Sequence, residues 1–436
     1  MRGATGHGPV NLSPGAARRI LLLLTATRWF PVGLVVAAIT LLPLERGLSI
    51  AETMTLASVT GLVVFALELP TGGIADALGR RPVLIVAAAV QVVAAGLFVV
   101  ASSFWMFAVA SAAMGVFRAL DSGPLEAWFV DAVHARRPGA DVDRTLAHQG
   151  TVLGVSMALG ALVSGGLVWW HPLRAWSALT LPFAVYTALA IVHLIMVGVL
   201  LKEARAETGE PAPSRVRAAV DSARAAPSVV AEGVQLARTN RVLRGLLLVE
   251  ALWSVAMVVM ESFQPIRLAE LVGSEEQAGV LMGPVASAGW AVFAGGSALG
   301  ALAARRWGVA RAAVVTRIMH GLAAVWMGLA AGPAALVAAY LVTYGLHGTG
   351  GPLVRTLLHR ESSARTRATV LSMASMTGFA AFAVASPVLG WTAEVLSTAV
   401  AMVVGGAVSV LGAWFLRAAV RSERDRLAAG MRTTRI

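Results

Sequence analysis

Apolar residues run through this chain in blocks of about twenty, enough for a helix rising about 1.5 Å per residue to cross a bilayer, and short polar breaks separate them. Twelve blocks can be drawn, at 20–42, 51–75, 83–101, 105–130, 146–169, 175–201, 243–268, 278–304, 312–331, 334–358, 369–391 and 396–416. One break is unlike the rest: 202–242 is long, polar and Arg-rich, and it holds Pro211, Pro213 and Pro227. It divides the predicted helices into six plus six. The expected organisation is a six-helix bundle over 1–201, a cytoplasmic linker over 202–242, a second six-helix bundle over 243–420 and a basic tail over 421–436. Within the linker, 229–238 fits a short amphipathic helix lying on the membrane surface.

Composition agrees with an all-α integral membrane protein: 57% of residues are apolar and 13% charged, with mean hydropathy +0.75. The net charge of +12 changes the picture only through its distribution. Arg18, Arg19, Arg80, Arg81, Arg136, Arg137, Arg305, Arg306, Arg360, Arg365 and the tail arginines all fall in alternate breaks. Basic loops stay in the cytoplasm, so a multi-pass protein of the cell inner or plasma membrane with both termini cytoplasmic is expected. The basicity is explained by orientation and anionic lipid headgroups, and no nucleic-acid partner is expected. The first block is long enough to span and is followed by no small-residue cleavage pattern, so it reads as a helix rather than a leader. Without Cys there is no disulfide framework and no thiolate chemistry. No metal-ligand, nucleophile–base or nucleotide motif appears, so no enzyme activity and no cofactor are expected. The Gly-rich stretch 345–351 lies within an apolar helix with no strand before it, and close helix packing explains it.

The break between the second and third blocks carries Glu68-Leu-Pro-Thr-Gly-Gly-Ile-Ala-Asp76-Ala-Leu-Gly-Arg-Arg-Pro82. Gly72 and Gly73 are expected to let the second helix approach a neighbour, Gly79 to permit a tight reversal, and Arg80 and Arg81 to anchor the loop. The spacing Gly72-x-x-x-Asp76-x-x-Gly79-Arg80-Arg81 resembles the loop between helices two and three of the major facilitator superfamily. With Ser122-Gly-x-x-Glu126-Ala-Trp-x-x-Asp131, the chain is similar to a bacterial drug and metabolite exporter subgroup of that family. The resemblance implies two pseudo-symmetric six-helix bundles, a cavity lined by helices one, four, seven and ten, and a conformational latch at Gly72, Asp76, Gly79, Arg80 and Arg81. The sequence departs from the family pattern twice. Ala301 stands in the second half where an Asp would match Asp76, and the helix-five antiporter pattern survives only as Gly165-Gly166, with Leu162 in place of Pro.

Ionisable residues inside the blocks point to a pathway, because an unpaired charge at helix centre costs about 2.5 to 3.5 kcal/mol on insertion scales. Arg28, Glu68, Arg118, Asp121 and Glu126 fall in one layer of the first half. Glu250, Arg317, His320 and His347 form a looser counterpart in the second, with Glu261 and Gln264 nearer the other end. The expected substrate and proton pathway is Arg28, Glu68, Arg118, Asp121, Glu126, Glu250 and His347, whereas lone imidazoles such as His148, His193 and His320 fit polar packing. The residues and the resemblance together lead to a monomeric secondary transporter working by alternating access. The expected action is proton-coupled efflux of a hydrophobic or amphiphilic small molecule, a drug or secondary metabolite. Proton-coupled uptake of a sugar or organic acid is the alternative, and a non-transporting receptor is the third reading.

Overall fold

A chain in hydrocarbon has to satisfy each backbone N–H and C=O within its own segment, which leaves helices or closed barrels. The computed structural model describes residues 12–202, 212–363 and 366–433, and among these there is no β-strand. Among the described residues, eleven helices are long and apolar enough to cross a membrane. Spans 1 to 6 are Pro14–Glu45, Ile50–Ala75, Arg80–Val100, Phe104–His134, Asp143–Trp170 and Ala178–Leu200. Spans 7 to 9 are Arg241–Val272, Glu275–Trp307 and Val309–Leu329, and spans 11 and 12 are Arg367–Val395 and Thr398–Arg426. Span 10, Pro333–Arg360, has the length but is more polar, because Tyr340, Thr343, Tyr344, His347 and a run of glycines interrupt it. Helix starts follow local chemistry: Ser49 and Glu52 close a capping box at span 2, Asn240 accepts from Val242 and Leu243 at span 7, and Ser274 and Ser397 cap spans 8 and 12.

The packing has an internal symmetry. In the first half, span 1 packs on spans 5 and 6, span 2 on 4, and span 3 on 4 and 6; adding six to every number gives the pairs of the second half. The halves meet along two seams, span 2 on span 11 and span 5 on span 8. An even number of crossings returns the chain to the face it started from, here called the terminal face. Glycines let backbones touch in the seams. A Cβ on Gly165 would stand 2.7 Å from the Val280 carbonyl oxygen, and one on Gly390 would stand 2.7 Å from Met54 Cβ.

Both seams are tight towards the far face and part towards the terminal face. Ser58 donates to the Ala383 carbonyl at 2.5 Å, the Ala51 N–H donates to Glu394 at 3.3 Å, and His171 lies 3.6 Å from Glu276. Near the terminal face a Cβ on Gly72 or Gly150 would meet nothing within 4 Å. The close approach expected at Gly72 is therefore absent, since the wedge between the halves has already opened at its level. The packing expected of 345–351 is present, with Gly296 backed on the Gly345 carbonyl and Gly348 on that of Phe293. The linker helix is longer than 229–238: it runs over Ala212–Thr239 and packs against spans 2 and 11, with Gly233 against Met373.

Overpacking a tight backbone contact costs about 1–3 kcal/mol. Gly165→Leu is expected to lower the melting temperature of the purified protein clearly, whereas Gly166→Leu, one residue away where a Cβ meets nothing within 4 Å, should leave it within about 0.5 kcal/mol of wild type. Thermal unfolding in detergent checks both.

Candidate functional site

Span 4 is broken in its middle. The first piece ends at Asp121, Ser122 is extended, Gly123 takes φ +93°, and Pro124 starts the second piece, where its missing N–H costs nothing. The break sets Arg118 and Asp121 at the end of the first piece, facing the space between spans. There Arg28 of span 1 donates from Nε to Asp121 Oδ2 at 2.6 Å. Its guanidinium lies 4.5 Å from the Trp29 ring and 4.2 Å from the Phe117 ring. Arg28 is 5% exposed, and its Nη1 has no hydrogen-bond partner among the described residues.

These groups wall a cavity of about 550 Å³ that reaches from the middle of the first half to Arg355 of span 10 and to Ser375 and Phe379 of span 11. That volume suits a small organic molecule. All five first-half candidates, Arg28, Glu68, Arg118, Asp121 and Glu126, line it. Glu68 accepts from Ser375 Oγ at 3.1 Å across the seam. Arg118 is exposed to the cavity and stands 5.7 Å over the Phe379 ring, with no carboxylate within 4 Å among the described residues. His193 also lines the cavity and is held by Thr27 at 2.9 Å. A second concavity of about 470 Å³ lies where the seams are shut on the far face, lined by Glu270, Glu275 and Glu394.

Glu250 and His347 do not line this cavity. Glu250 accepts from Arg317 Nη2 at 3.0 Å, Arg317 lies 4.7 Å over Trp253, and His347 stacks on Trp253 at 5.2 Å and 11°. They belong to a separate nest inside the second half, together with His320, which is 1% exposed and has no partner for either ring nitrogen among the described residues. Trp128 and Trp253, both on spans expected to line the cavity, are packing groups: Trp128 is buried and donates to the Lys202 carbonyl at 3.2 Å. No group of three or more His, Cys, Asp or Glu could hold a metal among the described residues.

At the expected latch, Gly79 has φ +100° and ψ 157°, a conformation that favours glycine. Arg80 stands 3.8 Å from Asp131 at the end of span 4, and Arg81 donates to the Gly198 carbonyl at 2.8 Å. The side chain of Asp76 lies outside the described residues. The second half repeats the turn at Gly308, φ +83° and ψ 155°. Counted back three residues from that glycine, the match to Asp76 is Arg305 and not Ala301 as expected; no carboxylate stands there, and Glu423 of the tail arrives instead. It accepts from the Val309 and Ala310 N–H groups at 3.2 and 2.9 Å, satisfying orphan donors at the start of span 9, and binds Arg360 at 2.6 Å. The sequence showed the tail only as basic.

Span 7 also holds a feature that residue types alone did not reveal. Over Val259–Phe263 it makes a π-helical turn, with the Gln264 N–H bonding to the Val259 carbonyl. Pro265 supplies the cause, because it has no N–H for the Glu261 carbonyl, and the turn widens instead. Glu261 sits at the centre of that turn.

The two mirrored bundles, with buried charges round a cavity between them and one mouth shut, define a transmembrane transporter, not an enzyme. The chain belongs to the Major Facilitator Superfamily, whose family model matches residues 21–385. No curated protein matches the sequence. Among solved structures, the nucleoside transporter NupG superposes with TM-score 0.72 at 12% identity, covering 92% of this chain and 98% of that one. The peptide transporter POT, in complex with sulfate, gives 0.73 at 14% identity, covering 97% and 96%. A D-xylose-proton symporter gives 0.66 at 15%, covering 93% and 96%. At these identities the likeness establishes the fold.

Removing one partner of a buried ion pair strands the other and costs about 3–5 kcal/mol, whereas replacing both with apolar groups is often neutral. Arg28→Met is therefore expected to destabilise the protein by about that amount, and Arg28→Met with Asp121→Leu to recover most of it. Equilibrium unfolding of the two variants checks the difference.

Proposed function

We propose that this transporter works by proton-coupled alternating access and exports a hydrophobic or amphiphilic small molecule. The observation that carries the reading is the charged cavity between the halves, reachable from the terminal face and shut towards the far face. The arginines concentrate at the terminal face, so that face is assigned to the cytoplasm and the conformation to the inward-facing state. The second state would follow from rocking the halves about the glycine seams, which hold no ion pair at the level of the cavity among the described residues.

Asp121 is the proposed coupling group. Ionised, it is neutralised by Arg28 at 2.6 Å. Once protonated, it no longer holds Arg28, and the guanidinium, with Nη1 already unpartnered, is released towards the cavity. The aromatic and apolar lining, Trp29, Phe379 and Leu153 among it, supports an amphiphilic substrate over a fully polar one. Export rests on the likeness of Glu68-Leu-Pro-Thr-Gly and Ser122-Gly-x-x-Glu126-Ala-Trp to the exporter subgroup. The loop at Gly72, Asp76, Gly79, Arg80 and Arg81 is proposed as the latch that releases between states.

Two experiments test this reading. In proteoliposomes with an imposed pH gradient, Asp121→Asn is expected to lose proton-driven flux at least tenfold while still permitting exchange. Full proton-driven flux in that variant would remove Asp121 from the coupling. Asp76→Asn is expected to slow turnover several-fold with ligand affinity within about twofold of wild type. Unchanged turnover, measured by initial rates, would contradict the latch.

A further inference from the structure

Span 5 ends on a residue in an uncommon conformation. Among the described residues His171 is the one non-glycine with positive φ, at φ +43° and ψ 59°. Glycine or asparagine is the usual occupant of such a helix end, and Pro172 restricts the residue before it further. The ring is engaged at both nitrogens. Nε2 meets the Trp176 carbonyl at 2.8 Å, and Nδ1 lies 3.6 Å from Glu276 Oε1 at the start of span 8.

The first contact decides the chemistry of the second. A carbonyl only accepts, so Nε2 carries a proton. In the neutral imidazole Nδ1 is then a bare lone pair facing a carboxylate, and the two repel. In the imidazolium Nδ1 also carries a proton, and the same carboxylate attracts it. One protonation therefore reverses the sign of the contact, within the range of about pH 5 to 8 where imidazole ordinarily changes charge. The charges around the pair keep that sign. Glu275 stands beside Glu276, and Glu45, held by Ser177, ends span 1. Arg46 is engaged by the Phe98 and Val99 carbonyls, and Arg174 is exposed.

His171 belongs to the first half and Glu276 to the second, so the pair crosses the seam between spans 5 and 8 where that seam is shut. The buried pairs Arg28–Asp121 and Arg317–Glu250 each stay within one half. Opening the far mouth has to part His171 from Glu276. Their side chains are 18% and 51% exposed, so water reaches both and the ring answers to the pH on that face.

We propose that His171 and Glu276 form a pH-sensitive clasp on the far seam, fastened when the imidazole is protonated and released when it is neutral. This rests on the reading of the chain as an alternating-access carrier whose far face lies outside the cell. Acid outside then favours the inward-facing state. In a carrier driven by protons entering from that side the clasp is a brake, because the state that takes up external protons becomes rarer as they become more plentiful. Exposed pairs are weak, so a shift of a few-fold is the expected scale.

The chain has no Cys, so Val168→Cys supplies a single thiol. Val168 is 1% exposed and stands on the shut seam, where a Cβ on Gly279 of span 8 would lie 3.5 Å from it. Maleimide labelling of the full purified chain in detergent then reads how often the seam opens. Thiol reactivity itself varies with pH, so rates are compared between variants at one pH. At pH 5.5, adding His171→Asn is expected to speed labelling at least threefold; asparagine accepts the left-handed conformation. At pH 8 the two should label within about 1.5-fold, or in reversed order. Glu276→Gln should also speed labelling at pH 5.5 and add nothing to His171→Asn. Glu276 is exposed, so its variant tests the clasp even where His171→Asn does not fold. The same ratio at both pH values, no response to Glu276→Gln, additive effects of the two substitutions, or no labelling in any variant would overturn the inference. Loss of this pH dependence would leave the export reading standing. Full proton-driven flux in Asp121→Asn would remove that coupling group and leave the clasp.

Discussion

An ionised side chain inside hydrocarbon has to be neutralised or reached by water, and this constraint arranges the middle of the molecule. Arg28 is neutralised by Asp121 and Arg317 by Glu250, each pair within one half. Glu68 takes a single hydrogen bond from Ser375 across the seam, while Arg118 opens into the cavity between the halves. The consequence is mechanical. Strong, desolvated pairs hold each bundle together, whereas the seams between bundles are made of glycine contacts and a few neutral or solvent-reached hydrogen bonds. A rocking motion of one bundle against the other therefore breaks no buried ion pair, and the energetic scale of the interface is compatible with two states.

Irregular backbone follows the same rule. At membrane depth it is tolerated where it is buried in protein or lines a cavity. Span 4 breaks at Ser122 and Gly123, beside the charge cluster, and span 7 widens to a π-helical turn at Glu261. Span 1 bends at Val36 and Ala37 before resuming as Ala38–Glu45. Spans 2, 3 and 5 run unbroken. The departures in spans 4 and 7 each fall at an ionisable side chain, Asp121 and Glu261.

Much of this was legible in the residues. The twelve helices followed from length and apolar blocks, the reversal at Gly79 from its neighbours, and the gathering of Arg28 and Asp121 in one layer from depth; that Arg28 pairs with Asp121 and not with Glu68 was left open. Rotation about a helix axis was not legible, because spans apolar on nearly every face carry little amphipathic signal to orient them. Glu250 and His347 accordingly match the cavity in depth yet face into the second half. Gly72 was read as a packing glycine because the seam's wedge depends on conformation, not on residue type. Pro265 four residues after Glu261 was the local sign that span 7 would not stay α-helical there.

The terminal face shows which feature of the twofold design is retained when sequence drifts. Gly79 and Gly308 adopt nearly the same backbone, at the start of spans 3 and 9. The charges around them are exchanged. In the first half the loop supplies Arg80 and span 4 supplies Asp131; in the second, span 10 supplies Arg360 and the tail supplies Glu423. What persists is a tie between the turn and the end of the neighbouring span, made by opposite charges whose donors have changed. A carboxylate is needed at the second turn because the first N–H groups of span 9 have no side-chain cap of their own. Glu423 meets that need, and Arg426 extends the link to Glu361 and, through Asn240, to the start of span 7. The C-terminal helix therefore belongs mechanically to the second bundle, where it joins spans 7, 9 and 10 at the face that opens.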